Sequence, residues 1–222
     1  MQFCKSIIHF GVIGASIVAA SLPARALVVT YTDRDAFLAA LSSSSTDNYN
    51  DLSSGLGLIS PLNRTITGYT YNATATDDLY TGTVNGSTVL STNNSDKALT
   101  LNFTAGAPTA VGGYFFNTDP NFNVVNSVIT VTAYPGASAQ SVVTGSATNF
   151  FGWLDDSGTP FTSLVIVPGA GSPDAFATVD DLVLGQAAPA AQVPGPLPVL
   201  GLVVAFSFSR RLRSRIAAAR HR

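Results

Sequence analysis

Three adjacent aspartate pairs, Asp77-Asp78, Asp155-Asp156 and Asp180-Asp181, are the acid–base candidates of this sequence. Hydrolysis of a glycosidic bond needs two carboxyl groups flanking the scissile oxygen. Neighbouring residues of a strand point to opposite faces, so no single pair can flank one bond, and two pairs would have to converge. Beside Gly and Ser, the same aspartates also read as turn and cap residues. Calcium, which takes carboxylate, amide and backbone oxygens, is the other use for them. Asp180 or Asp181, with a loop carbonyl, could hold such an ion; no other metal ligand or cofactor is expected.

Other chemistry is closed off by what is missing. The histidines are His9 and His221, the cysteine is Cys4, the methionine is Met1, and there is no glutamate. All four named residues lie outside 27–192, so that stretch has no imidazole to shuttle a proton and no thiolate. Zinc and most transition-metal sites lose their usual ligands for the same reason. No glycine-rich phosphate loop followed by lysine occurs. No catalytic residue is assigned, and the chain is expected not to be an enzyme.

Aromatic side chains offer a different chemistry, since their faces stack on sugar rings while Asn or Asp fixes the hydroxyls. The candidates are Tyr69, Tyr71, Tyr80, Tyr114 and Trp153. Trp153, in Phe-Phe-Gly-Trp, reads as core rather than site. Tyr69 and Tyr71 share one face of a strand, either exposed or packed on a helix. Sequons at Asn63, Asn72, Asn85, Asn93 and Asn102 are of the number expected from a chain this rich in Asn, Ser and Thr.

The elements that must position these residues read as strands. Leu27–Tyr31 is a first strand. Thr32 then caps a short helix whose apolar face is Ala36, Phe37, Ala40 and Leu41, and residues 42–57 are polar and turn-rich. Strands are predicted at 66–75, 79–84, 99–104, 111–117, 124–134, 141–144, 150–154, 164–167 and 176–184, most of them separated by Gly, Asn, Asp or Pro. The expected fold is all-β, a jelly-roll-like β-sandwich with one short N-terminal helix, plus a C-terminal hydrophobic helix. Residues 27–192 carry three basic residues (Arg34, Arg64 and Lys97) against thirteen aspartates, a net charge of −10. That excludes a nucleic-acid surface and predicts an acidic face that repels anionic polymers.

The two ends read as routing segments. Lys5, the apolar run from Ile7 to Leu22 and the Ala24-Arg25-Ala26 step have the order of a signal peptide cut after Ala26. At the other end come Val193, Pro194, Gly195, Pro196, Leu197 and Pro198, an apolar stretch from Val199 to Phe208, and then Arg210, Arg211, Arg213, Arg215, Arg220 and Arg222. Val193 to Ser209 is 17 residues, short of the roughly 20 of a full membrane span. The arginines should stay on the cytoplasmic side. This divides the chain into a signal peptide (1–26), a β-sandwich ectodomain (27–185), a Pro/Ala linker (186–192) and a sorting or anchor segment (193–222).

This tail resembles the sorting signal of PEP-CTERM proteins. Pro194, Gly195 and Pro196 align with its Pro-Glu-Pro core, Gly195 standing where the family has Glu, and the whole is similar to a VPGPLP subclass. The body resembles the family as well, in Tyr31-Thr32-Asp33-Arg34-Asp35-Ala36-Phe37-Leu38, Val111-Gly112-Gly113-Tyr114-Phe115-Phe116, Phe150-Phe151-Gly152-Trp153 and Val179-Asp180-Asp181-Leu182. The resemblance implies an exosortase-type membrane protease and signal peptidase as partners. It also implies export through an inner-membrane-anchored intermediate to the cell surface or matrix. The expected function is structural or adhesive, in an exopolysaccharide layer. The alternatives are a carbohydrate-binding module, with or without calcium, and an aspartate-dependent glycoside hydrolase.

Overall fold

A computed structural model describes residues 28–136, 140–144, 146–169 and 174–189. Its order is β1 (Val28–Tyr31), α1 (Arg34–Ala39), β2 (Leu41–Asp47), β3 (Gly57–Leu58), β4 (Leu62–Ile66), β5 (Tyr69–Thr74), β6 (Leu79–Val84) and β7 (Ser87–Thr92). It continues with β8 (Leu99–Ala105), β9 (Ala110–Thr118), β10 (Val124–Val125), β11 (Ser127–Tyr134), β12 (Gln140–Thr144), β13 (Phe150–Asp155), β14 (Ser163–Pro168) and β15 (Phe176–Ala187). A nine-stranded sheet runs β1-β13-β9-β15-β7-β6-β3, with β10 added to β9 and β2 to β15. A six-stranded sheet runs β12-β11-β14-β8-β5-β4. The pairings are antiparallel, and the inner faces of the two sheets form a β-sandwich-like core. The expected all-β sandwich with one short N-terminal helix is therefore present.

Alternation builds that core. β5 and β11 bury every second residue, as a strand with one wet face must. Tyr71, Leu101, Ile129, Leu164 and Ile166 from the six-stranded sheet meet Leu90, Phe115, Trp153 and Val179 from the nine-stranded one. β9 and β13 are instead buried on both faces, because the nine-stranded sheet has covers outside as well. Asp33, rather than Thr32, caps α1, its carboxylate accepting from the Ala36 amide at 2.7 Å. The helix delivers Phe37 onto Gly152, where a β-carbon would stand 2.7 Å from the ring.

β2 falls where the sequence reads as polar turns. Its serines show no alternation. It is a strand because β15 pairs with it from Leu182 to Ala187, an instance of strand formation decided by neighbours rather than composition. The exchange is possible because β15 shifts register between Asp180 and Val183. Before the shift its free edge pairs with β7 at Thr178 and Val179; after it, with β2. β15 thus runs through Ala187, two residues into the stretch read as linker.

The membrane expectations require correction. Among the described residues no helix is long and apolar enough to cross a membrane. The helix α1 has six residues, a rise of about 9 Å against roughly 30 Å of hydrocarbon. The transmembrane helix and the inner-membrane-anchored intermediate are not supported. Ala24, Ala26, Val193, Pro194, Gly195, Pro196, Arg210, Arg211 and Arg213, with the expected C-terminal helix, lie outside the described residues.

Among the described residues, one ion pair enters the interior. Asp47, 3% exposed, accepts from Arg64 Nε at 2.9 Å and Nη2 at 2.6 Å, and from the Tyr71 hydroxyl at 2.7 Å. Arg64 also reaches exposed Asp51 at 2.8 and 2.7 Å, which draws that carboxyl below its usual range. The Tyr49 hydroxyl lies 3.2 Å from that of Tyr71, and burial pushes both phenols up, so both stay neutral. Removing one member of a buried pair strands its partner, so Arg64→Ala is expected to lower unfolding stability by about 3–5 kcal/mol. Asp51→Ala, at the wet end of the same cluster, should cost at most about 1 kcal/mol. Equal losses in urea melts would contradict this placement of Asp47.

Candidate functional site

The site grows out of the loop that joins β9 to β10. Thr118 pairs with Val124, leaving Asp119-Pro120-Asn121-Phe122-Asn123 to close the turn. One carboxylate organises it. Asp119 Oδ1 accepts from the amides of Asn121 at 2.8 Å and Asn123 at 2.9 Å, and Oδ2 from Asn123 Nδ2 at 2.8 Å. The Asp119 amide donates back to the Asn123 carbonyl at 2.9 Å, and the Phe122 amide to the Asp119 carbonyl at 3.0 Å. The Asn123 side-chain amide, followed by the backbone amides of Asn123 and Asn121, holds the Asp119 carboxyl below the usual carboxylate range.

These bonds keep Phe122 at φ 61°, a left-handed conformation that is uncommon for an aromatic residue. Strain of that kind costs about 1–3 kcal/mol and persists where the surroundings impose it. It lays the ring flat over Gly82, whose hypothetical β-carbon would fall 2.1 Å from a ring carbon. Phe122 also stacks on Tyr80, with ring centroids 5.9 Å apart and planes 26° apart. The Tyr80 hydroxyl is fixed in turn by donating to the Gly55 carbonyl at 3.0 Å.

Phe122 is half-buried and walls two clefts. On one side a cleft of about 140 Å³ is lined by Tyr80, Thr92, Asn93, Asp119 and Phe176. On the other a wider, polar cleft of about 460 Å³ is lined by Thr83, Asn85, Asn121, Asn123 and Ser146. Aromatic walls with converging amides and hydroxyls form a surface that can hold a polyol ring by its C–H face and its hydroxyls. Among the described residues, Asp119 is the one charged residue lining either cleft.

The sequence candidates are dispersed. Trp153 is fully buried, as expected. Tyr69 and Tyr71 are buried too, but in the core between the sheets, so neither is exposed or packed on α1. Tyr114 is half-buried, edge-on to Phe150 at 5.7 Å. Tyr80 alone of the five reaches a cleft. Of the sequons, Asn93 and Asn85 line clefts, while Asn102 donates to Asn72 at 3.1 Å.

None of the six paired aspartates lines either cleft. Asp77 faces Lys97 at 3.8 Å, and Asp78 accepts from the Ser60 amide at 3.1 Å. Asp155 accepts from the amides of Ser157 and Thr159 and from the Ser157 hydroxyl. Burial raises the pKa of Asp180, which also accepts from the Asp181 amide at 2.8 Å; Asp181 stands 3.7 Å from Arg34. Among the described residues, no three carboxylates or other ligating side chains converge as a metal site would need. Phe122 was not a sequence candidate; the turn-forming residues around it, Asp-Pro-Asn and a following Asn, were the available signal.

No family model matches the chain, and neither a curated protein nor a solved structure does. The descriptors attached to the terminal resemblance (signal peptide, secretion, cell surface, membrane, PEP-CTERM, exopolysaccharide, biofilm) are corrected accordingly: no family model stands behind them.

Two outcomes test the geometry. Gly82→Ala should displace the Phe122 ring and cost about 1–3 kcal/mol, the scale of an overpacked site. Adding Phe122→Ala should relieve most of that loss, and additive losses in thermal melts would contradict the contact. Because the Asp119 pKa is depressed by folding, its contribution is complete above the ordinary carboxylate value near 3.9 and is lost as pH falls through the depressed value. The Asn121 and Asn123 amide resonances should therefore hold steady from pH 7 to about 5 and move only below about 4. Movement at higher pH would contradict the assignment.

Proposed function

We propose that the domain is a non-catalytic adhesive module that binds neutral carbohydrate in the clefts flanking Phe122. The observation that carries this reading is the Tyr80–Phe122 stack, held at the mouth of a cleft by a strained, self-bonded loop and rimmed by amides and hydroxyls. The smaller cleft lies below the roughly 300 Å³ typical of drug-sized ligands, which suits one sugar ring of a longer chain. The charge of −10 disfavours anionic polymers. With one carboxylate at the rim, binding on this reading needs no calcium. The same reading takes the sandwich as jelly-roll-like, an arrangement whose edge loops are free to shape a ligand cleft.

A panel of soluble neutral oligosaccharides tests it. Phe122→Ala and Tyr80→Ala should each weaken binding at least tenfold, about 1.4 kcal/mol, whereas Ile59→Ala, exposed elsewhere, leaves it unchanged. Chelator should have no effect. Absence of binding across the panel, or wild-type affinity in Phe122→Ala, would overturn the reading.

A further inference from the structure

We infer that the outer face of the six-stranded sheet, whose residues line neither cleft, is a second binding surface fitted to an insoluble neutral polysaccharide. This goes beyond the cleft reading and does not depend on it.

The face is defined by register. One row crosses five strands as Asn63, Asn72, Asn102, Ser163 and Tyr134. The next runs Thr74, Thr100, Val165 and Thr132, and Thr130 pairs with Val167 in a third. Four strand spacings make the first row about 19 Å long, and successive rows lie about 7 Å apart. Arg64 is the one charged residue in the six strands. Its side chain turns away from this face to Asp47. A broad sheet face without any charge, on a domain of net charge −10, is unusual, because exposed sheets normally carry charges against association.

Charge complementarity selects the partner. An anionic polymer would find no cation here and a cationic one no carboxylate. A neutral polyol finds hydroxyls, amides and the methyl groups of threonine and valine, and no ion must be desolvated for it to bind. Shape narrows the choice further, since small ligands need concavity and a sheet face whose residues line neither cleft gains most from an extended or packed polymer. Of the five large apolar side chains exposed among the described residues, three lie here: Val128 at 39%, Tyr134 at 47% and Val167 at 39%.

The test is co-sedimentation of the full chain with microcrystalline cellulose and with chitin. The wild type should pellet with at least one of them. Thr100→Lys combined with Thr132→Lys should lower adsorption at least tenfold while retaining the wild-type melting temperature. Phe122→Ala should leave adsorption unchanged. Tyr134→Ala, which places no charge in a strand, should lower adsorption severalfold and guards against misfolding of the lysine variant. Wild-type adsorption by both face variants, a wild type that stays in the supernatant on both polymers, or loss of adsorption in Phe122→Ala alone would overturn the inference. So would a concentration-dependent dimer that the face variants abolish, which would make a second copy the occupant.

Discussion

The Asp47 carboxylate ties the two sheets together by direction as well as by burial. Apolar packing between sheets is strong but non-directional, and the described residues include no cysteine to cross-link them. Asp47 closes β2 in the nine-stranded sheet, Arg64 and Tyr71 lie on β4 and β5 of the other, and their hydrogen bonds meet at its two oxygens. The pair fixes where the end of β2 sits, and β2 in turn occupies the edge that β15 frees after its register shift. Turning Arg64 inward has a second consequence, because it removes the one charge that could have stood on the outer face of the six-stranded sheet.

The two sheets are consequently unlike. The nine-stranded sheet is closed on its outside by two aromatic contacts built over glycine, Phe37 on Gly152 and Phe122 on Gly82. Phe37 brings α1 down over Phe150, Leu154 and Val183. Phe122 covers Val84, Val89 and Phe116. In each case the missing β-carbon lets a ring approach the sheet more closely than any substituted residue would allow. The six-stranded sheet has no such cover among the described residues, so its outer face must be soluble by itself, and Thr, Asn and Ser accomplish this without charge.

Several strands were legible in the sequence, though β4, which alternates with one wet face, was not. Thr100, Asn102 and Thr104 alternating with Leu99, Leu101 and Phe103 give β8 directly, and Leu79–Val84 is β6 as read. β2 was not legible, because Ser42–Ser45 offer no period and pairing with a distant strand decides their state. β7 was not among the predicted strands, although Asn85-Gly86 before it, with positive φ values of 50° and 87°, fits a two-residue hairpin turn. Among site residues, Tyr80 was found by type alone. Phe122 was not found, because a single aromatic between turn formers gives no periodic signal. Its importance comes from Gly82, forty residues earlier in the chain, a contact no local pattern encodes.

Phe122 both covers the outside of the nine-stranded sheet and borders the two clefts. A residue needed only to cover Val84, Val89 and Phe116 could do so from ordinary extended or helical geometry, and β-branched or aromatic neighbours such as Val124 already contribute. Asp119 spends both carboxylate oxygens holding the left-handed conformation of Phe122, in a loop too exposed for those bonds to add much to the stability of the core. What the conformation gains is position: one ring face on Gly82, a stack on Tyr80, and edges left open to a cleft on each side. The fully buried Tyr49 adopts the same left-handed conformation at φ 57°, so what sets Phe122 apart is the ring edge it leaves open to a cleft on each side rather than the backbone strain.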